Sequence, residues 1–231
     1  MSNDVLPNTF ITQDICYISD DKDEIELTSY TPLDTLFLLF FIFLGIGTHF
    51  FRIQFPNTVV FDEVHFGSFI NFYINGSYFH DIHPPLAKLI MASIGKLSGY
   101  NGEYDFTSIS YNKNYPSKKY ISLRIIPALF GSFFVPISYI IMRSLHSSYF
   151  ASFIATIFLA CENLLIIESR FILTDGILCF FVSISIFSII LYWNYQNSIT
   201  FYIMSISIGL ALSIKFTAGG ILFLGIYIYL Y

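Results

Sequence analysis

Charge is scarce in this chain. Asp, Glu, Lys and Arg make up 12% of its 231 residues, about half the share of an ordinary soluble domain. With 55% hydrophobic and 19% aromatic residues, a soluble fold of this length has too little interior to hide the apolar surface. The composition therefore points to a polytopic membrane protein. Cysteine is scarce as well: three thiols build no disulfide framework, which excludes a small secreted scaffold. Basic residues number 11 and form no run, and the formal net charge is -5, which counts against nucleic acid as a partner. No Ser-His-Asp, Cys-x-x-Cys, Walker or Gly-x-Gly-x-x-Gly pattern is present, so the chemistry those motifs carry has no foothold here.

The few charges are unevenly placed. Residues 1–34 hold eight acids (Asp4, Asp14, Asp20, Asp21, Asp23, Glu24, Glu26, Asp34) against one base, Lys22, a net -7. The remainder, 35–231, holds eight acids and ten bases, a net +2. The acidity belongs to the tail, expected to be solvated and disordered. No basic stretch precedes a cleavable apolar core, so the first apolar run is expected to be an uncleaved anchor.

The gaps between charges mark the membrane passes. Leu36 to Phe51 is apolar, as are Ile125 to Met142 and, interrupted by Glu162, Ser147 to Ile167. Gly176 to Ile214 holds no charge over 39 residues, nearly twice the length that crosses a hydrocarbon core of about 30 Å. It must turn, and the polar patch Asn194–Ser198 beside Tyr192 and Trp193 is the expected place. Phe216 to Tyr231 starts a sixth pass without a polar flank after it, the pattern expected of a portion of a longer protein. Backbone groups in lipid must bond internally, so each pass should be a helix. The expected fold is all-α with about six transmembrane helices.

One long polar segment, 52–119, separates the first two passes. Within it Val64–Ile74 and Leu86–Leu97 are amphipathic. The second places Leu86, Leu89, Ile90, Ile94 and Leu97 on one face and Lys88, Ser93 and Lys96 off it. Pro84-Pro85 starts it and Gly99 ends it. Such helices are expected to lie along the membrane surface; Tyr100–Lys119 is read as loop. Counting passes then gathers Asp62, Glu63, His83, Arg124, Arg170, Asp175 and Lys215 at one membrane face, here face B. Arg143, His146 and the acidic tail fall on the opposite face, A. Ionisable groups at a membrane face are costly unless paired or used. Loop charges left over from the positive-inside rule do not fix which face is which.

Three sets of residues carry possible chemistry. Asp62 and Glu63 are adjacent carboxylates at the start of an amphipathic helix: either helix caps, or one is a general base partly desolvated at the interface. Residues one apart on a helix point about 100° apart, so the two would not both face one substrate. His80-Asp81-Ile82-His83 has metal-like spacing, although the following prolines account for it as a helix start. Arg52, Arg124, Arg170 and Lys215 stand at ends of passes: snorkelling anchors, or together a site for a lipid phosphate. Asn75-Gly76-Ser77 is a glycosylation triplet.

Taken in order, Phe61-Asp62-Glu63-Val64-His65-Phe66-Gly67, Tyr78-Phe79-His80-Asp81-Ile82-His83-Pro84-Pro85-Leu86-Ala87-Lys88 and Gly99-Tyr100-Asn101-Gly102 resemble the first lumenal loop of the protein O-mannosyltransferases. The likeness continues through Leu123–Gly131, Glu168–Asp175 and Ser213–Gly219. It implies a GT-C glycosyltransferase domain over 35–231 with a lumenal loop 52–119. That domain would sit in the endoplasmic reticulum membrane, its amino terminus cytosolic and its active site lumenal. The implied reaction moves mannose from dolichyl-phosphate mannose to Ser/Thr hydroxyls of secretory polypeptides, with inversion. By position Asp62 resembles the family's catalytic acid, Glu63 its essential neighbour, and Arg52 and Arg124 its important arginines. Donor phosphate would fall to Arg52, Arg124, Arg170 and Lys215, with Asp62 and Arg124 on opposite sides of the sugar; His65, His83 and Lys88 belong to the substrate loop. The resemblance asks for no metal and no cofactor beyond the lipid-linked donor. It implies homo- or heterodimers with a family member, and, in full-length members, further passes and a lumenal MIR domain. Two other readings stay open: a GT-C enzyme using a polyprenyl-phosphate sugar with a lipid or glycan acceptor, and a non-catalytic membrane subunit or truncated fragment. A transporter would want ionisable groups at mid-membrane, and 176–214 offers none.

Overall fold

The computed structural model describes residues 31–107 and 114–231; the acidic tail read over 1–34 lies outside them up to residue 30. The described residues are helical in every regular element. They comprise α1 (Pro32–Phe50), α2 (Glu63–Asn75), α3 (Leu86–Leu97), α4 (Tyr120–Ser144), α5 (Tyr149–Ala160), α6 (Asn163–Ser169), α7 (Asp175–Tyr195), α8 (Ser198–Leu212), a short 3₁₀ turn (Phe216–Ala218) and α9 (Gly219–Leu230).

Local chemistry sets the ends. Thr31 and Asp34 form a capping box around Pro32, so α1 starts with three signals at once. This puts Asp34 in the helix and not in the tail: it is fully buried and bonded to Arg143 Nε (2.7 Å) and Tyr139 Oη (2.8 Å). That contact joins two residues the pass count had assigned to face A or its boundary. Glu162 interrupts the third apolar run as expected, capping α6 through its side chain, and α5 and α6 meet at 55°. The long uncharged run turns at Gln196, in the left-handed region at φ 44°, and Asn197 caps α8 by accepting from Thr200 N–H at 2.9 Å. Three helices, α1, α4 and α7, are long and apolar enough to cross a membrane; the bent α5–α6 pair has the length and composition of a fourth, as one broken span or a re-entrant loop, and α8 and the 216–230 segment are apolar but shorter. Of six expected passes, three therefore reach spanning length as single helices among the described residues, and four with the bent pair counted as one span.

Helix α4 is the central post, packed by α1, α5, α6, α7 and α3. It begins at Tyr120, a turn earlier than the charge gap indicates, which draws Arg124 into the interior. Close approach there depends on small residues. A Cβ at Gly45 of α1 would run into the Ser132 carbonyl of α4, and Gly131 of α4 sits against Ser169 and His49. On the other flank Ser188 of α7 and Ser207 of α8 share a hydrogen bond at 2.7 Å. Many large apolar side chains of α1, α5 and α9 stay exposed, among them Phe43, Phe158 and Phe223, as lipid-facing helices require.

The segment after α3 carries no helix or strand among its described residues, as its reading as loop expects, but its aromatic side chains pack inward. Tyr100, Tyr104 and Phe106 are buried, with Val59, Phe66, Ile70, Met91, Leu123 and Ile172, in one apolar cluster under α2 and α3. Tyr100 Oη donates to Asn71 Oδ1, and Asn71 Nδ2 to the Tyr104 carbonyl at 2.7 Å. Helix α3 leaves open three residues of the apolar face expected to lie in lipid, and buries the face opposite, Lys88 included. Its buried face carries Ala87, Lys88, Met91, Ala92 and Gly95, while Leu89, Ile94 and Leu97 are exposed.

Candidate active site

Glu63 opens α2 and is completely buried. Its carboxylate accepts five hydrogen bonds: from Arg124 Nε (2.8 Å) and Ile172 N–H (3.0 Å) on Oε1, and from Arg124 Nη2 (2.8 Å), Val60 N–H (2.9 Å) and Tyr115 Oη (3.2 Å) on Oε2. A guanidinium owns five N–H donors, and Arg124 uses all of them. Besides the two to Glu63, Nη1 donates to the carbonyls of Pro56 (2.6 Å) and Ile53 (3.4 Å), and Nη2 to that of Thr58 (3.1 Å). Tyr120, Phe171 and Tyr115 surround it, with ring centres 4.9, 5.2 and 5.7 Å from Cζ, a cation–π enclosure. Burial first, and the Glu63 carboxylate second, raise the Tyr115 phenol's pKa, so it stays a donor.

This geometry corrects the expectation for Arg124. With no exposed surface and no free donor it cannot meet a donor phosphate or a sugar; it is the clamp that ties α4 to the 53–60 segment and the start of α2. For the same reason Glu63, fully buried and bonded on both oxygens, offers no open face to a substrate. Tyr115, Tyr120 and the Ile172 amide, which complete the clamp, went unnoticed in the sequence. The tyrosines' signal was aromatic density within an otherwise polar segment.

Asp62 is the contrast. It is half-exposed, stands at the N-cap of α2 without making a side-chain cap bond, and has no hydrogen-bond partner for its carboxylate among the described residues. The capping alternative is thereby removed for it. Two bulky residues in the left-handed region, Arg52 (φ 52°) and Phe61 (φ 49°), bracket the segment, a conformation that is costly outside glycine and concentrates at functional sites. Exposed His65 lies three residues on, on the same side of the helix as Asp62.

Two cations keep open donors near this carboxylate's segment. Arg52 is exposed. Arg170, half-buried, reaches across 118 positions to donate from Nη2 to the Arg52 carbonyl at 3.1 Å, while its Nε is buried without a partner among the described residues. Burial, and then the neighbouring Arg124 guanidinium, lower the pKa of Arg170; like charges in partial burial favour an anionic visitor. Lys215 stands apart from these, donating to Asp175 Oδ1 at 2.6 Å at the start of α7. The Leu86 N–H, bonded to the Ser213 carbonyl at 3.0 Å, brings the 80–88 segment alongside.

In that segment Lys88 is buried, not solvent-facing as its helical position implied, and so contacts no substrate. It pairs with Asp81, donates to the His83 carbonyl at 2.8 Å and lies 5.3 Å over the Phe69 ring. His83, half-buried, stacks on Phe66 with centres 6.2 Å apart. Burial pushes the Asp81 carboxyl up, but the bonds from Lys88 and the His83 N–H outweigh it and hold it below the usual aspartate value of 3.8. Asp81 is thus bound to a lysine, and among the described residues no three His, Cys, Asp or Glu side chains gather as a metal would require. The metal alternative for His80 and His83 finds no support in this arrangement.

Fold and site together define a polytopic helical membrane protein that holds, at one set of helix ends, an acid unpaired among the described residues and two open arginines. The family model described as dolichyl-phosphate-mannose-protein mannosyltransferase matches residues 38–231, and the chain belongs to that family. It is 38% identical over 179 residues to dolichyl-phosphate-mannose–protein mannosyltransferase 4 of Candida albicans, covering 73% of this chain and 23% of that protein. To protein O-mannosyl-transferase 1 of Mus musculus it is 34% identical over 194 residues, 81% of this chain and 25% of the mouse protein. Among solved structures it is similar to the protein O-mannosyltransferase Pmt1-Pmt2 complex of S. cerevisiae bound to the sugar donor. The TM-score is 0.80 at 30% identity, over 87% of this chain and 29% of that one. The chain spans about a quarter of the length of the curated relatives it matches.

Proposed function

We propose that this chain carries the catalytic membrane region of a protein O-mannosyltransferase, moving mannose from dolichyl-phosphate mannose to Ser or Thr hydroxyls of secretory-pathway polypeptides. The observation that carries the reading is Asp62: a half-exposed carboxylate without a partner among the described residues, fixed in place by a fully bonded Glu63–Arg124 pair beneath it. A hydroxyl is a poor nucleophile and needs a base within hydrogen-bond reach. Asp62 takes the hydroxyl proton as the oxygen bonds to the anomeric carbon. The carbon–phosphate oxygen bond breaks on the opposite face, giving inversion, and dolichyl phosphate leaves as an anion that needs no general acid. Arg52 and Arg170 meet the charge growing on that phosphate, with Lys215 as an outlying cation. His65 and His83 line the approach of the acceptor.

The names of the relatives support this donor and this acceptor class, and the Pmt1-Pmt2 assembly supports pairing with a family member. On this reading the protein sits in the endoplasmic reticulum membrane with its amino terminus in the cytosol and face B in the lumen. In membranes bearing the full-length protein, Asp62→Asn should lower mannosyl transfer to a Ser/Thr peptide by about 10²-fold or more. Unchanged transfer removes Asp62 as the base. Labelled donor offered with lipid acceptors instead of peptide tests the other acceptor class.

A further inference from the structure

Asn75-Gly76-Ser77 is the one Asn-x-Ser/Thr triplet in the 231 residues, and the transfer chemistry above makes no use of it. It lies within the segment joining α1 to α4, the segment that also holds Asp62. We infer that Asn75 is itself a modification site, an acceptor for N-linked oligosaccharide. The inference rests on the proposed lumenal placement of face B.

The geometry favours it at each residue. Asn75 is the last residue of α2, and Gly76 leaves the helix in the left-handed region at φ 68°. Residues 77–85 then adopt no regular structure, so the triplet sits where helix gives way to open chain. Asn75, Gly76 and Ser77 are all exposed. The Asn75 amide makes no hydrogen bond among the described residues. Asn71, one turn earlier, has its amide engaged on both atoms by Tyr104 and Tyr100. No proline occupies the middle position, and glycine leaves the backbone free to extend. The reaction would join the Asn75 amide nitrogen to the anomeric carbon of a polyprenyl-diphosphate-linked oligosaccharide. The amide loses one proton to the transferase's base, and the carbon–oxygen bond to the diphosphate breaks, its electrons leaving with the diphosphate. The amide lies beside Gly102, where a Cβ would come within 3.0 Å of Oδ1; the exposed asparagine at the helix end keeps a solvent side on which to carry the glycan.

Two independent readouts on the full-length protein, expressed in a eukaryotic host that performs N-glycosylation, decide the matter. Peptide mapping after peptide:N-glycosidase treatment should find Asn75 converted to aspartate, with a one-glycan mobility step that Asn75→Gln and Ser77→Ala both abolish and Ser77→Thr retains. Separately, a Glu103→Cys probe at an exposed position of the same segment reports orientation by its reaction with a membrane-impermeant maleimide in sealed microsomes. A protected probe with unmodified Asn75 overturns the inference while the proposed orientation stands. A probe labelled from the cytosolic side overturns the orientation and this inference with it. A glycan on Asn75 that survives Ser77→Ala also overturns it, since recognition would not run through the triplet.

Discussion

Glu63→Gln is the sharpest perturbation of the clamp because it keeps the shape and changes one atom. Each carboxylate oxygen of Glu63 faces at least two donors: Arg124 Nε and the Ile172 amide on one side, Arg124 Nη2, the Val60 amide and Tyr115 Oη on the other. Whichever way the glutamine amide is turned, its NH₂ opposes donors; only the Tyr115 hydroxyl can rotate to accept. The guanidinium is left buried with its charge uncompensated, inside a ring of aromatic side chains. Removing one partner of a buried ion pair costs about 3–5 kcal/mol. In full-length protein in detergent, the melting midpoint should fall by several degrees, and peptide mannosylation should fall with it as the 53–62 segment loosens. Arg124→Met should cost a similar amount by stranding the carboxylate. The double variant should cost less than the sum, the singles coupling by about 0.5–3 kcal/mol. Asp62→Asn, in contrast, should melt within about 0.5 kcal/mol of the parent while losing activity. If Glu63→Gln melts like the parent, or if the two single effects simply add, the clamp is not the element that positions Asp62 and the reasoning fails.

Arg170→Ala should weaken use of the donor, raising its KM or lowering kcat in a peptide-mannosylation assay. Arg170→Lys should restore only part, because an ammonium cannot reproduce the guanidinium fork; full activity in both variants would take Arg170 out of the phosphate site. The Asp81–Lys88 pair gives a pH signature. The carboxyl's folded-state affinity for protons lies below its ordinary value of 3.8, so its stabilising contribution is present above that value and is lost as pH falls through the lowered folded value. Asp81→Asn should therefore lower the melting midpoint at neutral pH and flatten its decline on the acid side; a parallel shift at all pH values would contradict the pairing. Gly45→Ala should destabilise the α1–α4 contact by about 1–3 kcal/mol, read as a lower melting midpoint, because its methyl would meet the Ser132 carbonyl; Gly47→Ala, with open space around it, serves as the neutral control.

Much of this architecture was legible because in a membrane the scarcity of charge does the punctuation. The turn at Gln196–Asn197, the break at Glu162 and the full extent of α3 follow from where polar residues interrupt apolar runs, and the parity of passes placed Arg52, Glu63, Arg124 and Arg170 at helix ends that do meet. What parity cannot supply is which of the meeting charges are already paired. Glu63 and Asp62 read alike as adjacent acids, and Arg124 and Arg170 read alike as arginines at the ends of passes. Yet one of each couple is locked into a dry clamp and the other stays open. The difference arises from a helix that begins at Tyr120 instead of Ile125, drawing Arg124 one turn inward. It arises also from Tyr115, in a segment without regular structure, whose ring centre lies 4.2 Å from that of Tyr120 at the start of α4 and which closes the clamp from outside the helix. Periodicity is silent about such a segment, because its aromatic rings are spaced by the fold and not by any repeat along the chain. Lys88 fails for a related reason. Helical spacing puts it off the apolar face, but its partner Asp81 lies seven residues back in an irregular stretch, and only the folded loop shows that the charge is paired within the protein. Asp62, Arg52 and Arg170 form no ion pair among the described residues, and within this cluster of helix ends they are the charges left for chemistry.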